Sequence, residues 1–254
     1  FVLFEPDARF VTSEQRSFIR NYVNDFEDAL FGSNFTDPEI GYRAFVDVAF
    51  FVDQHIFFWL AKRPMNHSTF LFKDRGGKLN FGPQWDFNQS LGGSDDSLPP
   101  QGFPAPAVYT WFRRLFQDPD FAQQWVDRWH QLRQTTFSID NIQTVIDSLT
   151  AQHAEARVRI FARWGQPNGG PLVDPRLPAN RYDSEISQLT TWVAARTEWV
   201  DGLLVAPVSF SAPSQSVEPE FELTLSASEG TIYYTLDGSD PRAAGGAVSP
   251  QAIE

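Results

Sequence analysis

The residues best placed to do chemistry lie in one short stretch, Lys73-Asp74-Arg75-Gly76-Gly77-Lys78-Leu79-Asn80-Phe81-Gly82-Pro83-Gln84-Trp85-Asp86-Phe87-Asn88. Asp86 stands between two large aromatics, Trp85 and Phe87, and Asn88 follows two residues on. A carboxylate flanked by rings has its solvation and rotamer set by its neighbours, so this reads as a buried aromatic box around a magnesium ligand. The plainer reading is a hairpin whose exit happens to carry an acid.

The elements that must position Asp86 follow from the pattern around it. Apolar runs at Ser68–Phe72 and Leu79–Phe81 flank the Asp-Arg-Gly-Gly turn and predict a β-hairpin. Upstream, Thr12-Ser13-Glu14-Gln15 is a capping box, and Phe18, Ile19, Tyr22, Val23, Phe26, Ala29 and Leu30 recur at helical spacing until Gly32. A second helix is expected from about Asp47 to Ala61, ended by Pro64; it is apolar nearly all round and so should be central and buried. After the hairpin, Gly92–Pro106 is a Gly/Ser/Asp/Pro-rich loop, long enough to suggest a functional or mobile segment.

Helical spacing returns from Val108 to Trp164. Trp111, Phe112, Leu115 and Phe116 share a face, and Asp118-Pro119 opens a helix carrying Phe121, Trp125, Trp129 and Leu132. One long helix is expected from about Ser138 to Trp164. Arg157, Arg159 and Arg163 near its end either compensate the helix dipole or form a phosphate-binding face. Gln166–Asn180 reads as a Pro/Gly linker, and a last helix, about Asp183 to Leu204, sets Ile186, Leu189, Val193, Arg196 and Val200 on one side. At Ala206 the texture changes. Val208–Ala212 and Phe221–Ala227 alternate in strand fashion, and Gly230–Leu236 reads as a strand ending in an Asp237-Gly238 turn, the start of an all-β module with too few strands to close a sandwich.

Composition bounds the partners. With 254 residues, 42% of them hydrophobic, 24 Phe and 8 Trp, the chain can bury a sizeable aromatic core in one large domain plus a small one. A net charge of −12 argues against nucleic acid. The absence of cysteine rules out disulfides and zinc-thiolate sites, and no apolar run is long enough to predict a membrane span. The start, Phe1-Val2-Leu3-Phe4-Glu5-Pro6, has no basic n-region and suggests a piece of a longer chain.

The blocks Gly41-Tyr42-Arg43, Val46-Asp47-Val48 and Phe51-Val52-Asp53-Gln54-His55, followed by Ser68-Thr69-Phe70, Lys73–Leu79 and Gly82–Asn88, together resemble the C-terminal part of the CotH (spore-coat) kinase family. The Gln15–Leu30 helix and the Trp192–Trp199 segment fit that family's flanks, so the likeness covers residues 1–204. The run Tyr233–Arg242 is similar to the small β-sandwich module at the C-terminus of chitobiase-type hexosaminidases, placed here at 207–254 in truncated form. The fold class implied is α+β: the mainly helical C-terminal lobe of an atypical protein-kinase-like fold with a short hairpin, then an incomplete all-β sandwich module. The activity implied is transfer of phosphate from ATP to protein serine, with Asp86 as a metal ligand in the sense of the Asp-Phe-Gly aspartate of protein kinases. Mg²⁺ or Mn²⁺ would be held by Asp86 and Asn88. ATP is expected only with an N-terminal lobe, because the family's glycine loop and ATP-pairing lysine lie upstream of Phe1.

This sequence also departs from the family. A Glu-Leu-Thr-Lys-Asn-Val-Asp type segment should follow the buried helix, its last Asp acting as catalytic base. Aligned from His55, the Glu falls on Trp59, the Asn on Arg63 and the Asp on Met65, and no Asp occurs between Lys62 and Ser68. His67 is the candidate substitute, since an unperturbed imidazole titrates near 6.5; otherwise it is an ordinary loop histidine. Lys73 and Lys78 are turn-flanking charges. The expectation is thus a weakened or inactive kinase, a pseudokinase, at the cell surface or outside the cell. Its partner would be a protein substrate or a surface protein, with glycan contact possible through the β module. The alternative is a non-catalytic binding or scaffold protein of the cell surface.

Overall fold

Thr12 opens the first helix through the reciprocal pair the sequence predicts: its Oγ1 accepts from the Gln15 N–H at 3.3 Å, and its own N–H donates to Gln15 Oε1 at 2.9 Å. In the computed structural model, which describes residues 7–63, 69–87, 90–92, 99–103, 110–164 and 181–254, this helix is α1 (Ser13–Phe31). It ends at Gly32, where a Cβ would lie 2.9 Å from the Asp28 carbonyl oxygen. The chain then turns through Gly41, whose close approach to the Phe35 and Asp37 carbonyls leaves no room for any side chain.

α2 (Val48–Ala61) is the expected central helix, with Asp47 accepting from the Ala49 and Phe50 N–H groups as its N-cap. Phe51, Val52, Ile56, Phe58 and Leu60 are buried along it. It ends at Ala61, as expected, with Lys62 as a left-handed C-cap, φ 49; Pro64 lies outside the described residues. β1 (Leu71–Lys73) and β2 (Leu79–Phe81) form the predicted antiparallel hairpin in the register Leu71↔Phe81, Lys73↔Leu79. A short parallel bridge between Val46 and Leu79 fastens the hairpin beside the start of α2.

α3 (Thr110–Leu115) and α4 (Pro119–Gln134) close the core, and Phe121, Trp125, Trp129 and Leu132 of α4 are all buried as their spacing requires. The single helix expected over 138–164 is instead two, α5 (Ile139–Gln152) and α6 (Ala154–Trp164). The break falls at His153, whose Nδ1 lies 2.7 Å from the Leu149 carbonyl that the helix ladder also needs, while its backbone N–H is shared between Ala151 and Leu149. α7 (Arg181–Asp201) completes the helical part, with Val193, Arg196 and Val200 buried on the side predicted. The linker placed at 166–180 lies outside the described residues.

The tail is β, but its strands are shorter than the alternation suggested: β3 (Ser209–Phe210) pairs with β4 (Leu225–Ser226), and β5 (Arg242–Ala243) with β6 (Ala247–Val248). Of the strand expected over 230–236, only Tyr234 is bridged, to Ile253, with both backbone bonds at 2.9 Å. Asp237 turns the chain by accepting from the Ser239 N–H at 2.9 Å. The tail leans on α4 through Arg242 Nη1 to Asp127 Oδ2 at 2.6 Å and the Gly245 N–H to Asp120 Oδ1 at 2.8 Å. The chain as a whole is a mainly helical α+β lobe followed by a small, incomplete β region. Among the described residues no helix is long and apolar enough to cross a membrane.

Candidate functional site

The hairpin delivers residues 82–87 as an extended segment that runs along α2. Gln84 and Gln54 exchange amide hydrogen bonds at 3.1 and 2.6 Å, anchoring the segment to the middle of the helix. Beyond it Asp86 adopts a left-handed backbone, φ 63, and its side chain is exposed. Its carbonyl oxygen accepts from Arg63 Nε at 3.1 Å. The next residues return to the end of α2: Ser90 N–H and Oγ both donate to the Phe87 carbonyl, and the Leu91 N–H donates to the Ala61 carbonyl at 2.9 Å. Asp86 therefore projects from a short bridge bolted at both ends to α2.

The aromatic box does not take the form expected. Trp85 is 61% exposed and, among the described residues, its ring meets Phe70 edge-on at 6.3 Å, so it does not shield Asp86 from water as expected. Phe87 is the inward ring, 4.8 Å from Phe57 and stacked at 6.1 Å on Phe58. The reason is the alternation of an extended chain: Trp85 and Phe87 share a parity until the left-handed turn at Asp86 swings Phe87 toward α2. Lys73 and Lys78 are structural, as read. Lys73 Nζ sits 4.4 Å from the Tyr22 ring, and Lys78 Nζ donates to the Arg43 carbonyl. His67, Met65 and Asn88 lie outside the described residues.

Whether the donors suit a metal turns on their chemistry. Among the described residues no three His, Cys, Asp or Glu side chains converge. A single exposed carboxylate is nevertheless the kind of donor that magnesium takes, because this ion keeps several waters and completes its shell with phosphate oxygens rather than a protein cage. Asp86 is a donor of that kind, and Asn88 lies outside the described residues.

Two features had no clear signal in the sequence. A cleft of about 690 Å³ opens beside the 82–84 segment, walled by Phe50, Phe57, Phe72 and Phe137, with the Gln54–Gln84 pair and the Asp53–Arg128 ion pair on its polar side. The spacing of Phe50, Asp53, Gln54 and Phe57 on one helix face marks that wall only once α2 is known to be uncovered there. The second is a clamp on the loop after Asp86. Arg196, fully buried, donates to the carbonyls of Trp59, Pro100 and Gly102 at 2.7–2.9 Å, and Lys62 Nζ donates to those of Pro99 and Gln101. Gly92 lies against the Trp192 ring, where a Cβ would come within 2.5 Å, and Phe103 packs edge-on to Trp199 at 5.5 Å. The described ends of the expected loop, 92 and 99–103, are therefore held by one stripe of α7.

A central helix, a hairpin leading into an acid-bearing extended segment, and a surround of helices define a mainly helical lobe with its site at the end of α2. The chain belongs to the CotH kinase protein family, whose model matches residues 2–200. A second family model, described as Fn3 associated, matches residues 221–253. No curated protein and no solved structure matches the chain. Membership of the first family suggests a kinase-type reaction that uses ATP and a divalent metal.

Proposed function

We propose that this chain is the helical lobe of an exported CotH-like protein whose phosphotransfer to protein serine is weakened or absent, and which acts at the cell surface or outside the cell. The observation that carries the reading is Asp86, exposed on its bridge, in a chain with no carboxylate between Lys62 and Ser68 to serve as base. Asp86 and Asn88 would hold Mg²⁺ or Mn²⁺, and the ion would supply charge neutralisation to the phosphate oxygens of ATP. Around it, the Gln54–Gln84 pair fixes the approach of the segment, and the Arg196 and Lys62 clamp fixes the loop that follows. His67 is the residue that would take the acceptor proton. Loss of a positioned base costs roughly 10²–10⁴ in rate.

Transfer of labelled phosphate from ATP to a serine-rich protein tests this reading, with Asp86→Asn and His67→Ala beside the unaltered chain. No transfer above background is expected. Robust turnover abolished by His67→Ala would overturn the weakened-kinase reading and make His67 the base.

The open Phe-walled cleft favours a second reading, a non-catalytic binding or scaffold protein. In that case the β module, of the Fn3-associated or chitobiase-like kind, contributes contacts to glycan or protein. Protection of Phe50 and Phe72 from chemical or solvent labelling by a surface partner, without any ATP dependence, would favour it.

A further inference from the structure

The left-handed region is uncommon for a residue with a side chain, and although aspartate tolerates it better than most, contacts from neighbouring groups can hold it there. At Asp86, with φ 63, the element that does so is Arg63. Its Nε donates to the Asp86 carbonyl at 3.1 Å, and its guanidinium carbon lies 4.6 Å from the centre of the Phe87 ring and 5.7 Å from that of Phe58. Arg63 is itself buried, and its backbone N–H is fixed to the Phe58 carbonyl at 3.1 Å. The planar cation thus fills the angle between the end of α2 and the acid-bearing bridge, gripping the backbone of Asp86 and the ring of its neighbour at once.

We propose that Arg63 is the positioning residue of this site: by drawing the Asp86 carbonyl inward it holds the left-handed turn that leaves the Asp86 carboxylate facing outward. Arg63 acts on the site through the backbone of Asp86 and not as a ligand itself. A planar fork suits the task better than a lysine, because one face stacks on Phe87 while the edge donates to the carbonyl. The consequence for metal binding rests on the reading of Asp86 as a ligand; the consequence for its backbone does not.

The test uses ¹³C/¹⁵N-labelled chain carrying Arg63→Met or Arg63→Lys. In Arg63→Met the Asp86 carbon shifts and the H–N–Cα–H coupling should move from left-handed toward extended values. Broadening of Asp86 by Mn²⁺ should then need roughly tenfold more metal, the usual loss when a group that orients a ligand is removed. Arg63→Lys, which keeps a donor and the charge without the planar stack, should recover part of both. Trp129→Phe, a core change away from the bridge, serves as the control for general destabilisation and should leave Asp86 unmoved. A left-handed Asp86 that persists in Arg63→Met overturns the proposal, as does an equal shift in Trp129→Phe. If Arg63→Met does not fold, Arg63→Lys decides: a partial shift supports the proposal and none overturns it. Failure of Mn²⁺ to broaden Asp86 in the unaltered chain retires Asp86 as a ligand, and the backbone shifts still decide the role of Arg63.

Discussion

Tyr42 donates its hydroxyl hydrogen to Oδ2 of Asp118 at 2.7 Å, joining residues 76 apart in the chain. The same oxygen accepts from Arg43 Nη2 at 2.9 Å, while Asp118 Oδ1 takes the Asp120 N–H that begins α4. Asp118 is 1% exposed. Burial, then the bond to Asp118, pushes the Tyr42 hydroxyl well above the usual phenol range, so it remains a donor. The Gly41-Tyr42-Arg43 motif is therefore a structural lock: the glycine permits the turn, and the next two side chains pin the head of α4.

Asp118→Ala removes one partner of a buried charged network and should destabilise the chain by about 3–5 kcal/mol. Tyr42→Phe removes a single bond to a charged acceptor and should cost about 1.5–3 kcal/mol. Urea unfolding followed by tryptophan fluorescence measures both. Loss below the range for a surface substitution in either variant would show that the network adds nothing to the fold.

His55 gives the fold an acid-sensitive point. It lies among Phe112, Phe116, Trp59 and Trp125 with ring centres 4.6–6.0 Å away, and among the described residues its Nδ1 has no hydrogen-bond partner. Burial pushes the imidazole down to about 3. The unfolded chain thus binds a proton near pH 6.5 that the folded chain refuses. The stability tied to neutral His55 is complete above pH ~6.5 and falls by up to about 1.4 kcal/mol per unit as pH drops toward 3. His55→Phe should flatten that part of the stability–pH curve between pH 6.5 and 4. Equal slopes for the two proteins would remove His55 as the cause.

Arg196 should matter for the loop more than its distance from Asp86 in sequence suggests. Burial lowers its pKa to about 10, which still leaves it charged at neutral pH. Arg196→Met leaves the Pro100 and Gly102 carbonyls without their Arg196 donor, while the Trp59 carbonyl keeps the Lys62 N–H, and a penalty of about 3 kcal/mol is expected. Arg196→Lys cannot reach both segments with a planar fork and should fall between. Amide exchange read at Gln101–Phe103 should speed up in both variants; unchanged exchange would mean that the loop is held by Lys62 and the Trp199 contact alone.

On the alignment from His55, the resemblance would put the family's base at residue 65, so Met65→Asp would supply a carboxylate there. In the longest form of the chain that its gene encodes, this change should raise kcat with little effect on nucleotide affinity, since a base acts in the transition state. A steady-state comparison with labelled ATP checks it. A change confined to KM would argue that residue 65 lies away from the acceptor hydroxyl.

Local order was legible in the residues themselves. The Thr12 capping box, the apolar run of α2, the Asp-Arg-Gly-Gly hairpin and the Trp125–Trp129 face of α4 each depend on neighbours within a few positions, and each forms where its spacing places it. The change to a β tail near residue 206 is visible for the same reason. What tertiary structure decided are the relations across long separations. Period alone could not show that Trp85 faces water while Phe87 turns inward, because that depends on one left-handed residue held by Arg63 from another element. Nor could it show that Arg196 spends its charge on carbonyls of a loop some 95 residues earlier, or that the carboxylate of Asp118 answers to Tyr42. The break at His153 escaped for a related reason: helical spacing continues through it, and the extra bond from the His153 ring to the Leu149 carbonyl is visible only in the folded chain. Hydrophobic spacing specifies which face of an element is buried; the partners of a polar group are specified only once the elements have met.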